Sequence, residues 1–268
     1  ILLSAQIAAK TPELPSAEKA YRHYLATQPA NDPEIASVTS SLAQILLLEN
    51  RPADAQTLLT AALARRPEDP SLTAQLANVL VSSGDPAKIA KAVPLLQKLH
   101  AVHPSDTNIT RLLARVLVES GNPAQADPLY AAVIAASPKP DPTLLDERAE
   151  ALLRLHRTAE AEALLKRAIA NPSAFPTPAD LGDAATHLAF AASETDDPRT
   201  ALQALTLRAT VLPPSPSSLF LEATASDTLH QSTRAVDLYK QFLAAAGGNF
   251  PDQELQARQR LAALEHRK

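Results

Sequence analysis

Residues 107–138, TNITRLLARVLVESGNPAQADPLYAAVIAASP, contain the unit from which the chain is built. Apolar residues recur at helical spacing in each half, around Ala114 in the first half and around Ala126 in the second, a pattern typical of amphipathic helices. Gly121 and Pro123 lie between the halves, and Gly is typical of a helix end while Pro is typical of a helix start. The stretch therefore predicts two amphipathic helices joined by a short turn.

The second half of this unit recurs along the chain as Ala, three residues, a large apolar residue, and Pro twelve positions after the Ala. In the fifth copy Pro172 comes one residue early, and in the seventh Gly247 replaces the Pro. The seven copies begin at Ala17, Ala55, Ala92, Ala126, Ala161, Ala201 and Ala235. Each is preceded by a second small residue, usually twelve positions upstream: Ala5, Ala43, Ala77, Ala114, Ala149, Ala189 and Ala223. Two small positions held in register over seven copies indicate an internal repeat.

Small residues at these positions have a packing reason. Two helices that cross at close distance need a methyl-sized side chain at the crossing point, and a larger residue one turn away fills the space beside it. The composition agrees, because 46% of the residues are apolar and only 3% are aromatic. With 23 Pro and five Gly, proline provides most of the helix boundaries. The pattern thus predicts closely packed helix pairs.

The paired pattern resembles the tetratricopeptide-repeat family, whose signature runs Trp-x-x-Leu-Gly-x-x-Tyr, then Ala-x-x-x-Phe, then Pro. Here the Trp is missing and Ala replaces the Gly, so the match rests on the Leu-Ala-x-x-Leu and Ala-x-x-x-large pairs and the final Pro. The resemblance implies an all-α, right-handed α-solenoid of about seven helix-turn-helix repeats with a C-terminal capping helix. It also implies a protein-interaction scaffold whose first helices line a concave groove.

We predict a single domain over residues 1–268 that consists of seven repeats and a capping helix. The repeats cover approximately 1–31, 32–69, 70–106, 107–140, 141–175, 176–214 and 215–248, and the capping helix covers 250–267. The first repeat begins within a helix that buries Ile1, Ala5 and Ala8. Because the chain does not begin with Met, further residues are expected upstream.

Two pairs of features depart from a regular repeat. Extra residues at 88–91 and 171–177 are expected to lengthen loops. Pro94 and Pro128 each come two residues after a repeat alanine and remove one helical hydrogen bond, so we expect either a kink or a late helix start there.

The predicted groove residues flank the buried stripe of the first helices, where positions four apart share one face. They are Gln44, Gln75, Asn78, Arg111, Arg115, Asp146, Glu150, His187, Phe190, Phe220 and Thr224. Phe190 and Phe220 either anchor an apolar side chain of a bound peptide or pack on neighbouring helices. The pair Arg111 and Arg115 and the pair Asp146 and Glu150 either form salt bridges with each other or recognise a charged peptide segment.

Other classes of function find little support in the sequence. A net charge of −4 disfavours nucleic acid, and no apolar run is long enough for membrane insertion. His100 and His103 have the spacing of two metal ligands, but a metal site needs three or four placed ligands. No common hydrolase or phosphate-binding motif is present. We therefore predict a non-enzymatic protein without metal or cofactor.

The predicted partner is a protein or a peptide, and a homo-oligomer stays open. The alternatives are an accessory or regulatory module of a larger polypeptide or envelope assembly, a glycan- or peptide-processing enzyme, and an RNA-binding helical repeat. The absence of Cys and the Ala-, Pro- and Thr-rich composition suit an exported, periplasmic bacterial protein, although a cytoplasmic protein would share them.

Overall fold

The computed structural model describes residues 14–29 and 31–266, and all regular structure in them is helical. A 3₁₀ turn at Pro172–Ala174 is the exception to the α-helices of this part of the chain. The α-helices are α1 (Leu14–Thr27), α2 (Ile35–Leu48), α3 (Pro52–Arg65), α4 (Pro70–Ser82), α5 (Pro86–Val102), α6 (Thr107–Glu119), α7 (Pro123–Ala136), α8 (Pro142–Arg154), α9 (Thr158–Ile169), α10 (Pro178–Glu194), α11 (Pro198–Ala209), α12 (Pro216–Thr228), α13 (Ser232–Ala246) and α14 (Pro251–Glu265). The all-α prediction is confirmed.

Residue contacts divide the chain into two compact units, with the division between Leu129 and Tyr130. Inside each unit the helices pack in sequence order, and the first helices of neighbouring repeats also contact each other. In the N-terminal unit α2 contacts α4 and α4 contacts α6, and in the C-terminal unit α8 contacts α10 and α10 contacts α12. These are the contacts of stacked helix-turn-helix repeats, as predicted. The single domain over 1–268 stays a prediction.

The recurring alanines lie in the core of the helix pairs. Every repeat alanine and every paired upstream alanine from Ala17 onward is fully buried. A helix is present where the capping helix was predicted: α14 packs on α13, and its role as a cap stays a prediction. The expected burial of Ile1, Ala5 and Ala8 lies outside the described residues.

The turn inside each described repeat contains one residue in the left-handed region, two positions after the first helix ends. Gly84 and Gly121 take this conformation with φ of 64° and 80°, as expected for residues without a Cβ. The remaining turns place larger residues there: Asn50, His156, Asp196 and His230. The repeat geometry therefore imposes this conformation even where the sequence has no glycine.

Two sequence expectations are wrong in part. Residues 88–91 do not lengthen a loop, because they lie within α5, which absorbs the extra residues as additional helix. Pro94 and Pro128 lie inside α5 and α7, which begin upstream at Pro86 and Pro123. A late helix start is thus wrong for both, because packing along the helix outweighs one missing hydrogen bond; the kink stays a prediction. Residues 171–177 do form an irregular connection, with the 3₁₀ turn inside it.

Candidate functional site

All eleven predicted groove residues lie on first helices of the repeats. Within each unit, we call the side of the first helices that carries these residues the first-helix face. Gln44, Arg115 and Phe190 are exposed, and the other eight are half-buried. The N-terminal unit carries Gln44, Gln75, Asn78, Arg111 and Arg115, and the C-terminal unit carries Asp146, Glu150, His187, Phe190, Phe220 and Thr224. Partner binding at these residues stays a prediction.

Two hydrogen bonds on the first-helix face join neighbouring repeats. Arg115 Nη2 donates to Asn78 Oδ1 at 2.7 Å, which links α6 to α4. His187 Nδ1 lies 2.8 Å from Asp146 Oδ1, which links α10 to α8. These four predicted groove residues therefore hold consecutive repeats together, whatever else they bind.

The pKa of His187 is raised above its usual value. Burial lowers this pKa, but the hydrogen bond to Asp146 and the negative charges of Asp146, Glu150 and Asp183 together outweigh burial. The charged form of His187 thus strengthens the link between the two repeats.

The ion pairs predicted between Arg111 or Arg115 and Asp146 or Glu150 would join the N-terminal unit to the C-terminal unit. These pairs stay a prediction. Within its own unit, Glu150 accepts a hydrogen bond from Arg154 at 2.6 Å, one turn along α8. Asp146 is bonded to His187, and Arg115 is bonded to Asn78.

Three of the predicted residues, Phe190, Phe220 and Thr224, come together at a pocket of about 490 Å³ in the C-terminal unit. The pocket lies among α10, α12, α13 and α14, and we call it the aromatic pocket because it contains four of the five phenylalanines of the chain. Its full lining is Phe190, Ser193, Glu194, Ser217, Phe220, Leu221, Thr224, Phe242, Phe250, Asp252, Gln253 and Gln256. Its volume falls in the range of ligand pockets, roughly 300–1,000 Å³.

The phenylalanine rings differ in exposure. Phe242 is fully buried, and its ring centroid lies 5.1 Å from that of Phe220 and 6.3 Å from that of Phe250. The Phe220 ring also packs edge-on against Tyr239. Phe190, by contrast, keeps 45% of its surface exposed. Phe220 is thus engaged in packing, as one of the two sequence interpretations expected, while Phe190 offers a free apolar surface.

The helix α14 forms one wall of the pocket, and polar contacts hold it to α12. Arg260 donates from Nε and Nη2 to the two carboxylate oxygens of Asp227 at 2.7 and 2.9 Å. The Tyr239 hydroxyl donates to the same carboxylate at 3.3 Å. Burial, and then the charge of Asp227, raises the pKa of Tyr239, so this hydroxyl remains a donor at neutral pH.

The sequence interpretation missed the contribution of α14 to this site. Phe250, Asp252, Gln253 and Gln256 all line the pocket from α14 or the residue before it. One signal was available: Ala257 follows Ala223 by one repeat length and is likewise fully buried. The terminal helix therefore continues the register of the first helices and extends the first-helix face by one step.

A second pocket, of about 530 Å³, lies in the N-terminal unit and contains one predicted residue, Gln44. Leu48 follows Gln44 by one helical turn, is 71% exposed, and lines the same pocket. This pocket is lined by no aromatic residue, so it offers a weaker anchor than the aromatic pocket.

Two other kinds of feature were considered in the described residues: a metal site that involves histidine, and a helix that could span a membrane. His100 Nδ1 lies 3.1 Å from the Thr110 hydroxyl. Among the described residues no three His, Asp or Glu side chains are grouped so that they could hold a metal ion. None of the helices described is long and apolar enough to cross a bilayer.

Comparisons with known proteins agree on the repeat type. Two family models, both described as tetratricopeptide repeat, match residues 40–93 and 87–145. The sequence matches none of the curated proteins.

Among solved structures, the chain is similar to a tetratricopeptide repeat protein from Parabacteroides merdae, with 14% identity, a TM-score of 0.65, and coverage of 98% of this chain and 97% of that one. It is also similar to pilF of Pseudomonas aeruginosa, with 18% identity, a TM-score of 0.68, and coverage of 84% and 98%. PilW, described as a type IV pilus biogenesis factor, gives 17% identity, a TM-score of 0.66, and coverage of 86% and 98%. At these identities the similarity establishes the fold alone.

Proposed function

The chain belongs to the tetratricopeptide-repeat family, and we propose that it is a non-enzymatic scaffold that binds a peptide segment of a protein partner. The segment lies on the first-helix face of the C-terminal unit and inserts an apolar side chain into the aromatic pocket. The observation that carries this proposal is the exposure of Phe190, at 45%, beside the ring cluster of Phe220, Phe242 and Phe250.

The energetics favour an anchor of this kind. A large aromatic side chain in water is unfavourable, and burial of apolar surface contributes about 25 cal/mol per Å². Aromatic residues in well-packed pockets provide much of the binding energy of protein interfaces. Covering Phe190 with the side chain of a partner would remove its exposed surface from water.

The rest of the lining suits a peptide backbone. The pocket lining also contains hydroxyl and amide side chains, namely Ser193, Ser217, Thr224, Gln253 and Gln256. A few polar groups around an apolar centre fix the orientation of a bound ligand. An extended peptide can thus bury one side chain while its N–H and C=O groups find partners at the rim.

The test uses a displayed library of random peptides selected on the full chain, followed by fluorescence anisotropy with the selected peptides. Phe190→Ala is expected to weaken binding by roughly tenfold or more, the effect of losing an interface hot spot. Because Phe190 keeps 45% of its surface exposed, its truncation should cost less stability than the roughly 3–5 kcal/mol typical of a buried phenylalanine.

The matched control is Leu255→Ala. Leu255 belongs to the same unit, is 58% exposed, and does not line the pocket, so its loss should leave binding unchanged. Selected peptides that bind the wild type and Phe190→Ala equally well would rule out the aromatic pocket as the binding site.

A further inference from the structure

The aromatic pocket carries negative charge and no compensating positive charge. Glu194 and Asp252 line it, and its lining includes no Lys, Arg or His. The two carboxylates come from different helices, Glu194 from the end of α10 and Asp252 from the first turn of α14.

These two carboxylates are unpaired, whereas other carboxylates around the pocket are paired. Neither Glu194 nor Asp252 makes a side-chain hydrogen bond or an ion pair with any residue that the structure describes. By contrast, Glu222 pairs with Arg234 at 2.5 Å, and Asp227 pairs with Arg260. Glu254 accepts from the backbone N–H of Gly248 at 2.8 Å and pairs with Arg258 at 3.3 Å. Among these five carboxylates, the two without a partner are therefore the two that line the pocket.

Each of these two carboxylates is close in sequence to a phenylalanine of the pocket. Glu194 follows Phe190 by one turn of α10, so the two side chains lie on the same helix face. Asp252 comes two residues after Phe250, and both line the pocket. An apolar side chain among the rings would thus share the pocket with both carboxylates.

Resting on the function proposed above, we propose that the bound segment carries Lys or Arg directly next to its apolar anchor residue. Lys and Arg can lay their aliphatic stems along apolar surface while the charged head reaches a carboxylate. Their cationic groups are also attracted to aromatic faces. A segment with Asp or Glu in these positions would place like charges together, which opposes binding and discriminates between partners.

The test compares the residues that flank the anchor in peptides selected from a random display library on the full chain. Selection on the wild type is expected to enrich Lys and Arg within two positions of the anchor. The same selection on Glu194→Lys should lose this enrichment and favour Asp or Glu. Glu194 lies in the last turn of α10, where a positive charge is compatible with the helix dipole, so this variant is expected to fold.

The matched control is Asp237→Lys, which makes the same charge change at an exposed position of α13 outside the pocket lining. For one selected basic peptide, Glu194→Lys and Asp252→Asn should each weaken binding about two- to fivefold. Asp237→Lys should have little effect. The difference between Glu194→Lys and the control should shrink at high salt, because screening weakens exposed charge pairs.

The outcomes separate the two proposals. Peptides that need Phe190 but show no basic flanks, or that bind Glu194→Lys as tightly as wild type, would overturn the basic partner and leave the pocket as a binding site. If no peptide that needs Phe190 is selected, the proposed function fails and this inference fails with it.

Discussion

Replacing Asp227 by Asn should loosen the wall of the aromatic pocket. Asp227 is buried and accepts two hydrogen bonds from Arg260 on α14 and one from Tyr239 on α13. Asn keeps the shape of Asp but has one oxygen acceptor and no charge. The variant therefore loses one of the two bonds from Arg260 and the ionic component of the other, without creating a cavity.

The expected loss of stability follows from these contacts. A hydrogen bond to a charged group contributes about 1.5–3 kcal/mol. The Arg260 side chain is 47% exposed, so water compensates part of the loss, and exposed ion pairs contribute little. Together these considerations give a decrease of about 1–2 kcal/mol in the free energy of unfolding.

The assay is urea unfolding combined with hydrogen exchange of the α14 amides. Asp237→Asn is the matched control, because this substitution makes the same chemical change at a residue that is exposed on α13. We expect faster exchange in α14 and weaker peptide binding for Asp227→Asn alone. If Asp227→Asn and Asp237→Asn showed the same stability and the same α14 exchange, the ion pair would have no role in holding the pocket wall.

Two further predictions concern the C-terminal unit. Gly182→Ala should destabilise the protein by about 1–2 kcal/mol, because overpacking costs more than the gain in helix propensity: an added Cβ would lie 2.6 Å from Leu212 Cγ. Urea unfolding checks this, and the double variant with Leu212→Ala should show a smaller penalty for the added methyl group; a stabilised Gly182→Ala would contradict the close contact. The second prediction concerns pH: since folding raises the pKa of His187, its stabilising contribution is full below its ordinary pKa of about 6.5 and is lost as pH rises through the folded value. The melting temperature should therefore fall more between pH 6 and pH 8 in the wild type than in His187→Gln, and equal falls would show that the link to Asp146 does not depend on charge.

The sequence predicted the repeats well because close packing restricts residue size at specific positions. A helix crossing admits only a methyl-sized side chain, so Ala43, Ala77 and Ala114 recur in register and are fully buried. The turns with Gly84 and Gly121 were equally visible, since a left-handed residue favours glycine. His156 and His230 adopt the same conformation without a local signal; only the packed helix pair imposes it.

The candidate site was predictable only in part. Helical periodicity placed Phe190, Phe220 and Thr224 on one face, because the spacing along a helix fixes direction. The contributions of Phe242 and Asp252 could not be predicted in this way, because they depend on where α13 and α14 lie relative to α12.

The sequence by itself determined the helix pairs, their order and the face that each first helix presents. These follow from local periodicity and from the size limit at each crossing. Only the tertiary structure decided that four phenylalanines from four segments share one pocket and that Glu194 and Asp252 have no partner there among the residues that the structure describes. The physical reason is that a pocket and its uncompensated charge are properties of side chains brought together across helices, and the spacing within one helix does not specify the distances between them.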